Sequence, residues 1–165
     1  MSTVFYATVF VGGVVMLVWL YRGPFYVPTR RKHISRIIAM LSVKPGEKIV
    51  DLGSGDGRLL IALAEAGAIA YGFEHNPFLV WRSRFATRRL GLDGKVNVSR
   101  SNFWKEDVSS YNAAVIYGIP YIMERLEKKL RSELRPGARV VSYSFQFPTW
   151  KPEKSDRRVY LYRKE

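Results

Sequence analysis

The chain has 165 residues, no cysteine and a formal net charge of +13 at pH 7. This length fits one domain with a core of ordinary size. The lack of cysteine excludes disulfides, thiolate metal sites and cysteine nucleophiles, and neither His33 nor His75 has a partner at metal-ligand spacing. A metal enzyme is therefore not expected, whereas nucleic acid, anionic lipid and acidic proteins are all compatible partners.

The segment from Val4 to Tyr21 is uncharged and apolar. As a helix its roughly 18 residues would be about 27 Å long, which is enough to cross the hydrocarbon core of a bilayer. A cleaved signal peptide is one alternative, but Met1-Ser2-Thr3 carries no basic side chain and no cleavage site follows. A buried core helix is the other alternative. We predict a transmembrane anchor over residues 1–22 and one domain over residues 23–165.

Basic side chains follow this segment, and by the positive-inside rule they place the domain on the cytoplasmic side of a single-pass membrane protein. The equivalent face of an organelle, such as the mitochondrial inner membrane, is the alternative location. The absence of an arginine-rich presequence favours the former. The basic residues are Arg22, Arg30, Arg31, Lys32 and Arg36.

Beyond a proline-rich linker over residues 23–29, the sequence predicts alternating helices and strands. Thr29 is the predicted N-cap of a first helix that ends near Leu41. Such alternation indicates an α/β fold, here a doubly wound, Rossmann-like parallel sheet, with a last strand that returns antiparallel. The predicted strands are 48–52, 68–74, 96–101, 113–118, 139–145 and 158–163, and the later helices are 58–66, a helix from Asn76, and 120–134.

Two helix faces are predicted to be solvated. One lies on the helix from Asn76 and consists of Arg82, Arg84, Arg88 and Arg89, for which a dedicated RNA groove is the alternative. The other lies on the helix over residues 120–134 and consists of Glu124, Glu127, Lys128 and Arg131.

A turn with three alternating glycines follows the first predicted strand, in the sequence Asp51-Leu52-Gly53-Ser54-Gly55-Asp56-Gly57. It presents backbone N–H groups and a helix N-terminus to a ligand. A dinucleotide fingerprint has the spacing G-x-G-x-x-G and no acid against the pyrophosphate. Here Asp51 and Asp56 would attract a sulfonium and an α-ammonium and repel a phosphate. The turn therefore predicts S-adenosylmethionine as cofactor, with a generic strand-to-helix turn as the alternative.

The next two strands end in further candidate cofactor residues. Glu74 lies about 20 residues past the glycine turn, where a carboxylate can accept both ribose hydroxyls. Asn102 can bond the adenine amine and Phe103 can pack on its ring, although a strand-exit turn with core aromatics is also possible. The remaining candidates of this cofactor site are Ser54, His75, Asn76 and Tyr117.

Tyr117 follows the fourth predicted strand, the usual place of the acceptor pocket. The tetrad N-P-P-Y/F, which clamps a planar nitrogen, is absent, so adenine, cytosine and amide acceptors lose support. An aliphatic amine needs an aromatic slot and a route for its proton, because only the neutral amine attacks a methyl group. Tyr26 and Tyr117 are the candidate catalytic residues, since a phenol could take that proton. The slot candidates, each of which could instead be core, are Tyr26, Tyr117, Phe145, Phe147 and Trp150.

Six motifs carry a resemblance to a known family. They are F-Y-V-P-T at 25–29, D-L-G-S-G-D-G-R at 51–58, N-P-F-L-V-W at 76–81, F-W-K at 103–105, M-E-R-L at 123–126 and P-G-A-R-V-V-S at 136–142. Together they resemble the membrane-anchored seven-β-strand protein lysine methyltransferases, which include the mitochondrial enzymes acting on the ATP synthase c-subunit and on the adenine nucleotide translocase. Small archaeal lysine methyltransferases are similar over the soluble part.

The resemblance implies methyl transfer from S-adenosylmethionine to lysine ε-amines, with the segment of Tyr26, Pro28 and Thr29 closing over the cofactor. The residues implied to hold the cofactor are Asp51, Gly53, Gly55, Glu74 and Asn102. The chain departs from the family at Asn102, where mitochondrial members have an acid, and at His75, and its tail over residues 150–157 is shorter.

We therefore expect a protein-lysine N-methyltransferase that acts on membrane or basic proteins and contacts the membrane through its N-terminal helix. Nucleic acid is not an expected partner. Two alternatives remain: a tethered RNA or DNA methyltransferase, and a non-catalytic module that binds S-adenosylmethionine.

Overall fold

The computed structural model describes residues 5–13 and 31–165. Residues 5–13 are helical and form α1. Within these two described ranges, none of the helices combines the length and the apolar character that a membrane span requires. Half of the predicted span from Val4 to Tyr21 lies outside the described residues, and so do Tyr26, Pro28 and the predicted cap Thr29.

Seven strands form one mixed sheet in the order β3-β2-β1-β4-β5-β7-β6. The first five strands run parallel, and β7 returns antiparallel beside β5, as the sequence predicted. The strands are β1 Lys48–Leu52, β2 Ile69–Glu74, β3 Val96–Arg100, β4 Ala113–Ile116, β5 Arg139–Tyr143, β6 Lys154–Asp156 and β7 Val159–Arg163. The helices are α2 Arg31–Leu41, α3 Arg58–Glu65, α4 Pro77–Arg89 and α5 Pro120–Glu133, with a 3-10 turn at Phe103–Lys105.

Helices cover both faces of the sheet, which gives three layers. On one face, apolar side chains of α2, α3 and α4 pack against the sheet in a first core cluster. On the other face, Met123, Leu126 and Leu130 of α5 form a second cluster with the strand side chains that face this side of the sheet. The two central strands β1 and β4 are buried almost throughout, as expected for parallel strands covered on both sides. This arrangement is the predicted doubly wound sheet.

The short strand β6 was not predicted. Its residues Lys154–Asp156 are all exposed and pair antiparallel with β7 at the sheet edge. Three charged or polar residues in a row give no apolar alternation, so the pattern that identified the other strands is absent here. Pairing with β7 alone makes this segment a strand.

The predicted solvated face of α5 is wrong at Glu127, which is 3% exposed. Its carboxylate accepts hydrogen bonds from the Thr149 backbone N–H at 3.0 Å and from the Thr149 hydroxyl at 2.5 Å. Arg131 lies 3.4 Å away on the next turn. Glu127 therefore ties the loop after β5 to α5.

The four arginines of the predicted solvated face of α4 are all exposed, and one of them, Arg84, also bonds to β3. Its guanidinium donates to the carbonyl of Val98 at 2.7 and 3.0 Å and so fastens α4 to β3. Arg82 and Arg88 are 52% and 75% exposed, as the solvated interpretation requires.

Candidate cofactor and acceptor site

The loops that follow β1, β2, β3 and β4 meet at one edge of the sheet, because these strands are parallel and adjacent. The chain adds β2 and β3 on one side of β1 and then β4 and β5 on the other, so the strand order reverses between β1 and β4. Ligands of doubly wound folds bind at the carboxyl ends of the strands beside such a switch point. The edge brings together the glycine turn after β1, Glu74 at the end of β2, Asn102 after β3 and Tyr117 after β4.

The glycine turn is shaped by backbone conformations that favour glycine. Gly53 has φ +94° and Gly55 has φ +56°. The N–H groups of Gly53 and Ser54 donate to the carbonyl of Phe73 at 2.9 and 3.1 Å, which holds the turn against the end of β2. A Cβ on Gly57, at φ +80°, would collide with the hydroxyl of Ser83 on α4. The turn is therefore fixed from both the sheet and the helix.

Glu74 lies between the glycine turn and the start of α4. One carboxylate oxygen accepts from the Gly55 backbone N–H at 2.9 Å, and the other accepts from the Asn76 N–H at 2.7 Å. Asn76 caps α4 by accepting from the N–H of Phe78 at 2.9 Å. Each carboxylate oxygen keeps a further lone pair, so Glu74 is a fixed acceptor that can still receive ribose hydroxyls. His75 is exposed.

Asp51 is buried directly beneath the turn, with 6% of its surface exposed. Burial, together with the charge of Glu74, raises the pKa of Asp51 from 3.8 to about 7. A positively charged ligand at this edge would favour the ionised form of both acids. The pair is therefore suited to a cation and unsuited to a phosphate.

Asp56 does not supply the second free carboxylate that the sequence predicted for the ligand. Its oxygens lie 2.8 Å from the Arg58 guanidinium and 3.4 Å from that of Arg82. These contacts direct Asp56 towards α3 and α4. Glu74, not Asp56, is the acid that shares the site with Asp51.

On the β3 side, Asn102 is exposed, and its side-chain oxygen accepts from the Trp104 N–H at 3.1 Å. Phe103 is half-buried with its ring centroid 4.8 Å from that of Trp104. The buried hydroxyl of Ser101 has no hydrogen-bond partner among the residues that the structure describes, and neither has that of Ser54 in the turn. Unsatisfied hydroxyls are costly unless a ligand or water completes them, so these residues fit a polar nucleoside.

Tyr117 lies at the end of β4 and is 39% exposed. Its ring packs edge-on against Tyr143 at 4.8 Å, and Tyr143 contacts the His33 ring on α2 at the same distance. Tyr143 was not predicted from the sequence, although, like Tyr117, it stands where a parallel strand ends, as the last residue of β5.

Of the predicted slot candidates, Phe147 is a core side chain with 4% of its surface exposed, and Trp150 is partly buried beside it. Their rings lie 5.6 Å apart and pack against Tyr162 in the second core cluster. Phe145 packs against the same cluster. Phe145 and Trp150 stay partly exposed, and Tyr117 is partly exposed at the acceptor side, where it packs on the buried ring of Tyr143.

A cavity of about 480 Å³ lies at the opposite edge of the sheet, where residues such as Glu47, Asn112 and Ala138 precede β1, β4 and β5. Arg139 lines it and is held by the Leu41 carbonyl and the Glu47 carboxylate. Burial tends to raise the pKa of Glu47, but the bonds from Arg139 and the Lys44 N–H outweigh it, so the pKa is lowered. Ligands of doubly wound folds do not bind at this amino edge, so the carboxyl edge is the stronger candidate.

The fold and this site define an S-adenosylmethionine-dependent methyltransferase, in which the glycine turn, Asp51 and Glu74 face the cofactor edge. The family described as the ANTKMT methyltransferase domain matches residues 51–154. The chain belongs to this family.

Individual relatives agree with this assignment. The mouse lysine N-methyltransferase named for the ATP synthase C-subunit is 40% identical over 160 residues, which cover 90% of this chain and 64% of the mouse protein. A protein-lysine N-methyltransferase from Saccharolobus islandicus is 31% identical, with 83% of this chain and 91% of that protein covered. Thus the chain spans less than two thirds of the mouse relative but most of the archaeal one.

Among solved structures, an RNA methyltransferase from Salinibacter ruber in complex with S-adenosyl-L-homocysteine superposes with a TM-score of 0.80. It is 30% identical, and the match covers 83% of this chain and 93% of that one. The S-adenosyl-L-homocysteine bound to that neighbour agrees with S-adenosylmethionine as the cofactor here.

Proposed function

We propose that the chain transfers methyl groups from S-adenosylmethionine to lysine ε-amines of proteins, with membrane or basic proteins as substrates. The observation that carries this proposal is the family match over residues 51–154, which spans the glycine turn, Glu74 and Tyr117 together. The mouse and the Saccharolobus islandicus relatives are both named lysine N-methyltransferases.

The cofactor edge needs no protein nucleophile for this chemistry. When bound, S-adenosylmethionine supplies an electrophilic methyl group on a positively charged sulfur. Glu74 and the Gly55 backbone fix the ribose side of the site, and Asp51 below the turn provides negative charge. In-line displacement depends mainly on positioning, so a rigid turn and a fixed carboxylate are the features that contribute to the rate.

On the acceptor side, the ring of Tyr117 offers a partly exposed aromatic face beside the switch point. An ammonium at such a face is held by a cation–π contact. Loss of part of its hydration there has the opposite effect on its charge and favours the neutral amine, which is the form that attacks. The proton would leave to water, directly or through the Tyr117 hydroxyl, which would accept it while passing its own proton on to water. Tyr26 stays a predicted second phenol, and it lies outside the described residues.

The experiment is methyl transfer from tritiated S-adenosylmethionine onto membrane and ribosomal fractions, with protease and nuclease controls and hydrolysis to identify methyl-lysine. We expect protease-sensitive label in methyl-lysine. Tyr117→Ala should raise KM for the protein substrate about tenfold, whereas Tyr117→Phe, which keeps the ring, should leave KM near the wild-type value. Label in protein residues other than lysine would refute the proposal.

A second candidate function is RNA methylation. It is favoured by the likeness to the Salinibacter ruber RNA methyltransferase and by the net charge of +13. It predicts nuclease-sensitive label and a steep loss of activity with salt, since phosphate contacts release counterions. The same assay therefore separates the two functions, and a cofactor-binding module without activity would give no label in either fraction.

The proposed location is a single membrane span over residues 1–22, with the domain on the cytoplasmic side or the equivalent mitochondrial face. Its support is the uncharged segment from Val4 to Tyr21 followed by basic residues. Resistance to alkaline carbonate extraction, with the domain accessible to protease from the cytoplasmic side, is the expected result. Release by carbonate would contradict the anchor.

A further inference from the structure

One face of α4 carries three large aromatic side chains that nothing in the described structure covers. Phe78, Trp81 and Phe85 are 56%, 61% and 53% exposed. The Phe78 and Trp81 rings lie 5.9 Å apart, and Trp81 stacks on Phe85 at 5.8 Å. Their spacing of three and four residues places them on one helix face, and we call this set the aromatic ridge.

The fold does not use the ridge for its own packing. The buried residues of α4 are Leu79, Val80, Ser83 and Thr87, which lie on the side that faces the sheet. Contiguous exposed apolar surface of this kind marks an interaction site on a soluble domain. The ridge is therefore a surface for something outside the described part of the chain.

The charges beside the ridge have one sign. The sequence of α4 contains four arginines and neither aspartate nor glutamate. Arg82 and Arg88 remain 52% and 75% exposed, although Arg82 lies 3.4 Å from Asp56 and Arg88 lies 3.9 Å from Asp93. Arg89 is exposed at the end of the helix. A partner that covers the ridge must therefore be apolar where it meets the rings and anionic around them.

We propose that the aromatic ridge docks on the surface of an anionic lipid bilayer. Tryptophan and phenylalanine rings insert at the boundary between head groups and acyl chains, and flanking arginines pair with anionic head groups. A second copy of the chain fits less well, because a symmetric contact would bring two sets of arginines together. The chain's own apolar N-terminal segment carries no acid to neutralise them.

Docking of this kind goes beyond the proposed activity but shares with it the membrane location. Contact through α4 would orient the cofactor edge relative to the bilayer, because Phe78 lies in the first turn of α4, two residues after its cap Asn76 beside Glu74. An acceptor lysine close to the membrane surface would then reach the Tyr117 side of the site.

The test uses spin labels on the full chain, which has no native cysteine to remove. The Phe85→Cys label reports on the ridge. The Lys128→Cys label is the matched control on α5, on the opposite face of the sheet, where Lys128 is 75% exposed. Each labelled chain is placed in phosphatidylcholine nanodiscs with and without phosphatidylglycerol, and label depth is measured from collisions with oxygen and a nickel chelate.

With phosphatidylglycerol, we expect the label at 85 to lie about 5 Å or more below the phosphates while the label at 128 stays in water. Changing Arg82, Arg88 and Arg89 to Gln should return the label at 85 to water. A Phe78→Cys label, also on the ridge, repeats the measurement if the first variant fails to fold.

Four results would overturn the proposal. They are equal water exposure at 85 and 128, spectral broadening between labelled copies, the same protection at 85 in detergent without lipid, and protection that requires added RNA. If the chain does not co-elute with nanodiscs, its N-terminal anchor has failed to insert. The label depth is then measured on vesicles of the same lipids, where the ridge can bind the surface without the anchor. The methyl-transfer assay is independent of both.

Discussion

The buried carboxyl of Asp51 makes the free energy of unfolding depend on pH in a predictable direction. Its pKa is raised from 3.8 to about 7, mainly by burial and further by the charge of Glu74. A carboxyl whose pKa is higher in the folded state stabilises the fold at low pH. That stability is lost as the pH rises through about 7.

The substitution Asp51→Asn removes this ionisation and keeps the shape of the side chain. The difference between pKa values of 3.8 and about 7 corresponds to about 4 kcal/mol at pH 8, at 1.36 kcal/mol for each pKa unit. We expect the variant to be more stable than the wild type by about this amount at pH 8, with the advantage falling towards zero near pH 4. In a chain of this size the melting temperature would rise by about 10 °C at pH 8.

The assay is urea unfolding of both proteins without cofactor, in the same detergent, at several pH values between 4 and 8. Titration calorimetry then follows S-adenosylmethionine binding, which we expect Asp51→Asn to weaken about tenfold at pH 8, because the ionised acid attracts the cation. Parallel pH profiles of stability for variant and wild type would refute the reasoning, because Asp51 would then titrate as it does in the unfolded chain.

Three further variants test the site and its supports. Glu74→Gln should weaken S-adenosylmethionine binding at least about tenfold by calorimetry. The control Glu124→Gln, on the exposed face of α5, should bind the cofactor normally. Equal affinities of the two variants would show that Glu74 does not bind the ribose. Glu127→Gln should lower the free energy of unfolding by about 1–3 kcal/mol in urea, since it weakens the buried bonds to Thr149; an unchanged midpoint would contradict that role. Gly57→Ala should lower the free energy of unfolding by about 1–3 kcal/mol, because residue 57 has a positive φ and an added Cβ would meet Ser83. Gly94→Ala, where an added Cβ has open space, should change it by less than about 0.5 kcal/mol. Similar losses for both variants would argue against strain at position 57.

The sheet could be predicted because its strands and helices show strong local patterns. Apolar runs such as Lys48–Leu52 and Ala113–Ile116 become the buried central strands, and Pro77 at the start of α4 follows a capping asparagine. Strand β6 could not be predicted, because only its pairing with β7 makes it a strand. Local sequence carries no information on that partner.

The candidate site was predictable at the level of loops and less so at the level of side chains. The positions of the glycine turn and Glu74 follow from strand order, which alternation of elements predicts. The contacts of Asp56 with Arg82 and of Glu127 with Thr149 do not follow, since these partners are distant in the sequence and meet the acids only in the folded chain. The alternation also places β4 beside β5, but the packing of the Tyr117 ring on Tyr143 depends on side-chain orientations that no local pattern gives.

The most direct test of the cofactor site is a crystal structure of the protein grown with S-adenosylhomocysteine. We expect the nucleoside at the carboxyl edge, with its ribose hydroxyls on the Glu74 carboxylate and its amino-acid end over the turn above Asp51. A nucleoside in the opposite cavity beside Arg139, or a glycine turn that stays empty at saturating ligand, would contradict this assignment.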